Sequence, residues 1–188
     1  MQFTIRETDD VLMSHSGLAL VGALLGKSPL RKRLSEISLG TRKRPELPHG
    51  EVLTAMIGLL CLGKSDYADI ETYRKETFFR RALGIAKLPS EETLRQRMDQ
   101  LGATPIATLH EESARLIGRH APKLTPCHGD WIPLDIDVSP FDNSGTKKEG
   151  VAWTYKKLDG YAPNFAYLGE EGYLIHCELR PGNQHCQE

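Results

Sequence analysis

The sequence predicts an α+β fold in which helices come first and a three-stranded antiparallel sheet follows. Three observations carry this. Apolar residues recur at helical spacing up to about Ile117. A stretch at 121–130 then holds two prolines and Gly129 and reads as a linker. Beyond it, apolar and polar residues alternate with a period of two. The expected organisation is a helical region at 1–120, a linker at 121–130 and a β region at 131–188.

The helices are justified one by one. Leu18, Val21 and Leu25 form the first apolar stripe, followed by Pro29 and the basic run Arg31, Lys32, Arg33. Residues 42–48 read as a loop broken by Pro45 and Pro48. A second helix starts near Gly50, turns Val52, Leu53, Met56, Leu59 and Leu60 inward and stops near Gly63. Ser65 or Asp66 caps a third, with Tyr67, Ile70 and Tyr73. A short fourth holds Phe78, Phe79 and Leu83 and stops at Gly84. In Pro89-Ser90-Glu91-Glu92, a Ser cap precedes two acids that complement the helix dipole. The fifth helix therefore begins there, with Leu94, Met98 and Leu101 inward and Arg95, Gln96 and Asp99 outward. Thr104-Pro105 starts a sixth, with Ile106, Leu109, Leu116 and Ile117 inward.

Three strands follow. Ile132, Leu134, Ile136 and Val138 alternate with Trp131, Pro133, Asp135 and Asp137, and the apolar set is expected to face a core. Tyr161, Pro163, Phe165 and Tyr167 alternate in the second strand, and Tyr173, Ile175, Cys177 and Leu179 in the third. Gly169-Glu170-Glu171-Gly172 between these two is a hairpin turn.

The chain has 188 residues, 39% hydrophobic and 26% charged, an ordinary globular composition. Its net charge of −1 hides an asymmetry: residues 1–129 carry 19 Lys and Arg against 15 Asp and Glu, and residues 130–188 carry 5 against 10. A basic front could lie against phosphates and an acidic back could hold divalent cations, although neither excess is large. The longest apolar run, near 55–62, is far short of the roughly 20 residues that cross a bilayer. No secretory signal is legible at the N-terminus. The four cysteines form no CxxC pair and are expected to be reduced thiols in the cytoplasm.

The chemistry is concentrated in Leu134-Asp135-Ile136-Asp137-Val138-Ser139. Aspartate is a poor strand former, yet two sit two residues apart on one face of an apolar strand. Holding a carboxylate there without a partner costs several kcal/mol by rough reckoning, and a divalent cation would offset it. An edge strand with both carboxylates solvated or paired to Lys or Arg explains the same residues equally well.

Three segments stand out in order along the chain. The first is Gly63-Lys64-Ser65-Asp66-Tyr67 with Leu88-Pro89-Ser90-Glu91-Glu92-Thr93-Leu94. The second is Leu134-Asp135-Ile136-Asp137 before a small or hydroxyl residue. The third runs from Gly172-Tyr173-Leu174 through Leu179-Arg180-Pro181-Gly182-Asn183-Gln184-His185. Together, in this order, they resemble DDE transposases of bacterial insertion sequences. The resemblance implies an RNase H-like catalytic fold, DNA cleavage and strand transfer, and Mg²⁺ or Mn²⁺ in the complete enzyme. Two such ions would clamp the attacking and leaving oxygens at a scissile phosphate. Asp137 matches the first metal-binding carboxylate, with Asp135 as the alternate. The second Asp and the Glu of the family have no match before Glu188, so the resemblance implies an N-terminal fragment inactive alone. Its bare sheet face would then make it poorly soluble.

The implied partners are DNA, as terminal inverted repeats and target, and a second copy or a full-length relative. The helix from Ser90 is the expected DNA-proximal element, with Arg95 and Arg97 as contacts. Arg31, Lys32, Arg33 and Arg42, Lys43, Arg44 are further candidates whose phosphate contacts would be salt-sensitive. Solvated surface charge accounts for all of these equally well.

Two other signals are set aside. Residues 58–65 match the P-loop pattern, but Leu59, Leu60, Cys61 and Leu62 continue a helical stripe where a phosphate loop needs a preceding strand. The adjacent pairs Cys127-His128, His176-Cys177 and His185-Cys186 do not have the spacing of a zinc site. The rival readings are a stand-alone DNA-binding module that inhibits its full-length relative, and a small metal-binding protein with no DNA role.

Overall fold

The computed structural model describes residues 9, 13–39, 45–120 and 123–184. They form an α+β protein with seven α-helices and two small antiparallel sheets. The chain divides into two compact units, residues 1–105 and 106–188.

The first unit is all helix: α1 (Leu18–Gly26), α2 (Leu30–Ser35), α3 (His49–Cys61), a 3₁₀ turn (Tyr67–Asp69) running into α4 (Ile70–Tyr73), α5 (Thr77–Ala82) and α6 (Glu91–Leu101). Its ends are set by local chemistry. Ser90 Oγ accepts a hydrogen bond from Thr93 N at 3.2 Å, and Asp66 Oδ1 accepts one from Ala68 N at 3.0 Å. The expected cap at Ser90 and one of the two expected at 65–66 are therefore in place. Helix α3 ends on Gly63, at φ +71°, a left-handed conformation that costs glycine nothing. Gly63 N donates to Leu60 O at 3.0 Å and Lys64 N to Leu59 O at 2.9 Å, the paired bonds of a Schellman stop. Residues 58–65 are thus a helix end and its cap. Gly84 closes α5 with the same pair of bonds.

The apolar stripes meet in one core. Leu18, Val52, Leu59, Ile70, Phe79 and Leu94 are almost or wholly excluded from solvent, and Tyr73 stacks on Phe79 with ring centroids 4.7 Å apart. Two details differ from the sequence expectation. Leu60 is exposed, because it lies about 100° around the helix from Leu59, which faces the core. The basic run at Arg31–Arg33 forms helix α2, anchored by buried Leu34 and packed against α3.

The second unit begins with α7 (Ile106–His120) and continues with six strands: β1 (Leu134–Val138), β2 (Phe141–Asp142), β3 (Ala152–Trp153), β4 (Asp159–Tyr161), β5 (Asn164–Leu168) and β6 (Tyr173–Glu178). One sheet has the order β1-β5-β6, all antiparallel, which is the expected meander. The other, β2-β4-β3, is built from the connection between β1 and β5. Gly172 N donates to Gly169 O at 3.0 Å and closes the β5–β6 hairpin. Within 121–130, Thr125 is bound to that hairpin. Its amide and hydroxyl donate to Glu171 Oε1 at 3.0 and 2.6 Å, which holds the Glu171 carboxyl below the usual glutamate range.

Helix α7 packs against β6, with the His110 and His176 rings 4.4 Å apart. Leu109, Leu116 and Ile117 are half-buried, Ile106 is exposed, and the side chain most deeply buried on this helix is Glu112, whose Oε1 accepts from Arg115 at 2.7 Å. Because α7 lies on the β6 edge, the apolar face of β1 at the opposite edge is open. Leu134 is 56% exposed and Ile136 61%, where a buried face was expected.

Candidate active site

Strand β1 carries Asp135 and Asp137 side by side on one face, both exposed. Asp135 is opposite Tyr167 and Asp137 opposite Phe165, so each carboxylate has an aromatic side chain as its cross-strand neighbour. Asp137 Oδ2 accepts a hydrogen bond from Ser139 Oγ at 3.1 Å. Among the described residues, no Lys or Arg forms an ion pair with either aspartate.

Asp137 opens onto a groove of about 480 Å³, also lined by Trp153, Tyr155, Asn164, Asn183 and Gln184. Asp135 does not line it. The groove exists because the Leu179-to-Asn183 segment is threaded across the second sheet. Ala162 N donates to Arg180 O at 3.0 Å, Pro181 bridges Tyr161, and Gly182 N donates to Gly150 O at 3.2 Å. A Cβ on Gly182 would overlap the carbonyl oxygens of Ala152 and Gly160, so only glycine lets the segment pass. Arg180 is 4% exposed, its Nε 3.9 Å from a Glu178 carboxylate oxygen. Tyr155 Oη donates to Val138 O at 2.9 Å and fixes its ring beside β1. Sequence reading found Asp135, Asp137 and the Arg-Pro-Gly-Asn segment but did not bring them together, and it missed Trp153 and Tyr155.

Among the described residues, no three His, Cys, Asp or Glu side chains converge to hold an ion. The donor set that is present, two exposed carboxylates without a counter-charge, fits part of a divalent-cation site.

The chain is matched over residues 2–188 by the family model described as Transposase DDE domain group 1. It belongs to that family. No curated protein and no solved structure matches it. The match spans both units, so the helical unit and the β1 aspartates belong to one family domain.

The basic candidates of this transposase-family chain lie in the helical unit. Arg95 pairs with Glu92 on the surface of α6, and its guanidinium holds Glu92 below the usual carboxylate range. Arg97 donates to Leu47 O and to His49 Nδ1, each at 3.0 Å, and burial pushes its pKa down. Arg31 donates to Leu83 O at 3.3 Å and to Gly84 O, tying α2 to the end of α5. Lys32 is exposed and Arg33 half-buried. Arg42, Lys43 and Arg44 lie outside the described residues. Among the described residues, no helix is long and apolar enough to cross a membrane.

Proposed function

We propose that the chain works in DNA transposition as part of a DDE transposase that cleaves a phosphodiester and transfers the strand, in the cytoplasm. On this reading β1, β5 and β6 are the leading strands of an RNase H-like catalytic domain at 131–188, and residues 1–120 handle DNA. The observation that carries it is Asp137: an exposed carboxylate on the edge strand, without a cationic partner among the described residues, at the mouth of a groove formed with the Gly182-Asn183-Gln184 segment. Asp137 is the first metal-binding carboxylate and Asp135 the alternate.

Mg²⁺ or Mn²⁺, when bound, polarises a phosphoryl oxygen and stabilises charge on the leaving oxygen. The chain's own residues position the donor. The β1–β5 ladder fixes the strand, and the Ser139 hydroxyl orients Asp137 Oδ2 and leaves Oδ1 for a ligand. Terminal inverted repeats and target DNA are the proposed partners. Arg31 and Arg97 bind backbone carbonyls within the helical unit. Lys32, and Arg95 on release from Glu92, are therefore the better placed phosphate contacts.

A second reading rests on the same site. Only two carboxylates come together among the described residues, so the chain can also act as a DNA-binding module that inhibits a full-length relative by occupying its sites or pairing with it.

One experiment tests both. The chain and its Asp137→Asn variant are titrated with duplex DNA over rising salt and with Mn²⁺ followed by electron paramagnetic resonance. DNA affinity should fall steeply with salt. Mn²⁺ affinity should drop on the order of ten-fold or more in Asp137→Asn, and less in Asp135→Asn. No DNA affinity at low salt, or unchanged Mn²⁺ affinity, rejects the proposal. Plasmid nicking in Mg²⁺ favours the enzyme reading, and DNA binding without nicking favours the module.

A further inference from the structure

We propose that the groove beside Asp137 is a stacking site for an unpaired nucleotide of a DNA strand, with Trp153 and Tyr155 as its base-binding faces. The inference rests on the transposase reading and adds the physical form of the DNA that the site takes. Large aromatic side chains normally turn inward or bury most of their surface. Here Trp153 is 59% exposed and Tyr155 65%, and both line the same groove as Asp137.

The Tyr155 ring is anchored, and the backbone that carries Trp153 is paired. Tyr155 is held by its hydroxyl on Val138 O, one residue from Asp137. Trp153 lies in the β3–β4 ladder opposite Asp159. Thr154 between them is buried, and its amide and hydroxyl both donate to Leu158 O, which stiffens the turn that presents Tyr155. A fixed, solvent-facing aromatic surface costs little ordering entropy when a flat ligand lands on it.

The remaining chemistry is that of a nucleotide. Asn164 lines the groove, and its Oδ1 is a buried acceptor with no hydrogen-bond partner, a group that a donor on the ligand would satisfy. Asn183 and Gln184 also line the groove and add amide donors and acceptors. Lys156 and Lys157 follow Tyr155 on the same turn, both exposed, suited to the phosphates flanking a stacked base. A paired base has its faces covered by its neighbours, so these rings can stack only on a base that is unpaired or turned out of the helix. A groove of about 480 Å³ takes such a base and excludes a duplex. It would hold the strand end with its backbone near Asp137.

The sequence contains two tryptophans, so Trp131→Phe leaves Trp153 as the sole reporter. That variant is titrated with short oligothymidylate and, separately, with duplex of the same length. Oligothymidylate should quench Trp153 emission. Tyr155→Ala should weaken oligothymidylate binding on the order of ten-fold and leave duplex affinity unchanged, while Tyr155→Phe retains most of the binding. If duplex binds and oligothymidylate leaves Trp153 emission unmoved, the stacking site is refuted and the transposase reading stands. If neither DNA binds, both fall. The quenching measurement keeps Tyr155 intact, so it decides the matter even where Tyr155→Ala fails to fold.

Discussion

The two units of the chain are stabilised by different means. Among the described residues, every buried hydrophobic side chain except Ala162 lies in the helical unit. The sheet unit buries polar groups instead, Glu112, Thr154 and Arg180, and leaves Leu134, Ile136, Trp153 and Leu179 largely in water. The helical unit therefore draws its stability from apolar burial, which is non-directional and roughly proportional to area. The sheet unit depends on backbone ladders and a few polar contacts, each modest in net energy. The unit with the weaker core is the one that presents the candidate chemistry, as expected where surface is kept open for a ligand.

The sharpest way to break this contrast is to truncate one apolar side chain in each unit. Phe79 is fully excluded from solvent and stacked on Tyr73. Phe79→Ala should cost about 3–5 kcal/mol in urea denaturation. Ile136→Thr on the open face of β1 should change stability by no more than about 0.5 kcal/mol, and it should reduce aggregation in light scattering. A loss at Ile136 comparable with that at Phe79 would mean that the face is covered in solution, and the contrast would collapse.

A smaller effect is expected at the crossing that builds the groove. In Gly182→Ala the new methyl meets the carbonyls of Ala152 and Gly160, which belong to a ladder and cannot turn away. The expected cost is about 1–3 kcal/mol, as for overpacking in a tight site. It should appear in tryptophan emission and leave the helical circular dichroism transition in place. Loss of both signals together would show that the units fold as one.

What was legible in the sequence follows the same divide. Helix signals are local: a Ser cap at 90, glycine stops at 63 and 84 and stripes such as Val52, Met56 and Leu59 each act within a turn or two of chain. Helix α2 was not legible, because six residues cannot form a stable helix alone and this one is held by packing against α3. The second sheet was missed because strands of two or three residues are too short to show a period. Asp135 and Asp137 could be found because carboxylates are out of place in a strand. Trp153, Tyr155, Asn183 and Gln184 could not be joined to them, because that depends on how the chain between β1 and β5 folds back and where the segment after β6 crosses it. The open face of Leu134 and Ile136 was misjudged for the same reason: alternation says which residues share a face and not what covers it.

The smallest effect sharpens the contrast through pH. His49 lies at the start of α3, 7% exposed, and its Nδ1 accepts a hydrogen bond from Arg97. That bond requires a lone pair on Nδ1, so the folded ring is neutral there. Burial, and then the neighbouring Arg97 charge, hold its pKa below the ordinary histidine value of about 6.5. Unfolded His49 binds a proton below that pH and folded His49 does not. Its contribution to stability is therefore complete above about pH 6.5 and declines as pH falls from there toward the lowered folded value, with a slope of at most about 1.4 kcal/mol per pH unit. Glu71 and Glu92, whose pKa values are also lowered, begin to lose their contributions only in the ordinary glutamate range, near pH 4.3, so the two windows separate. His49→Gln keeps a neutral acceptor for Arg97 and should flatten the upper window while leaving the lower one. The flattening should appear in the helical transition alone. An equal change in the sheet signal, or no change in slope, would mean that His49 is not the titrating group.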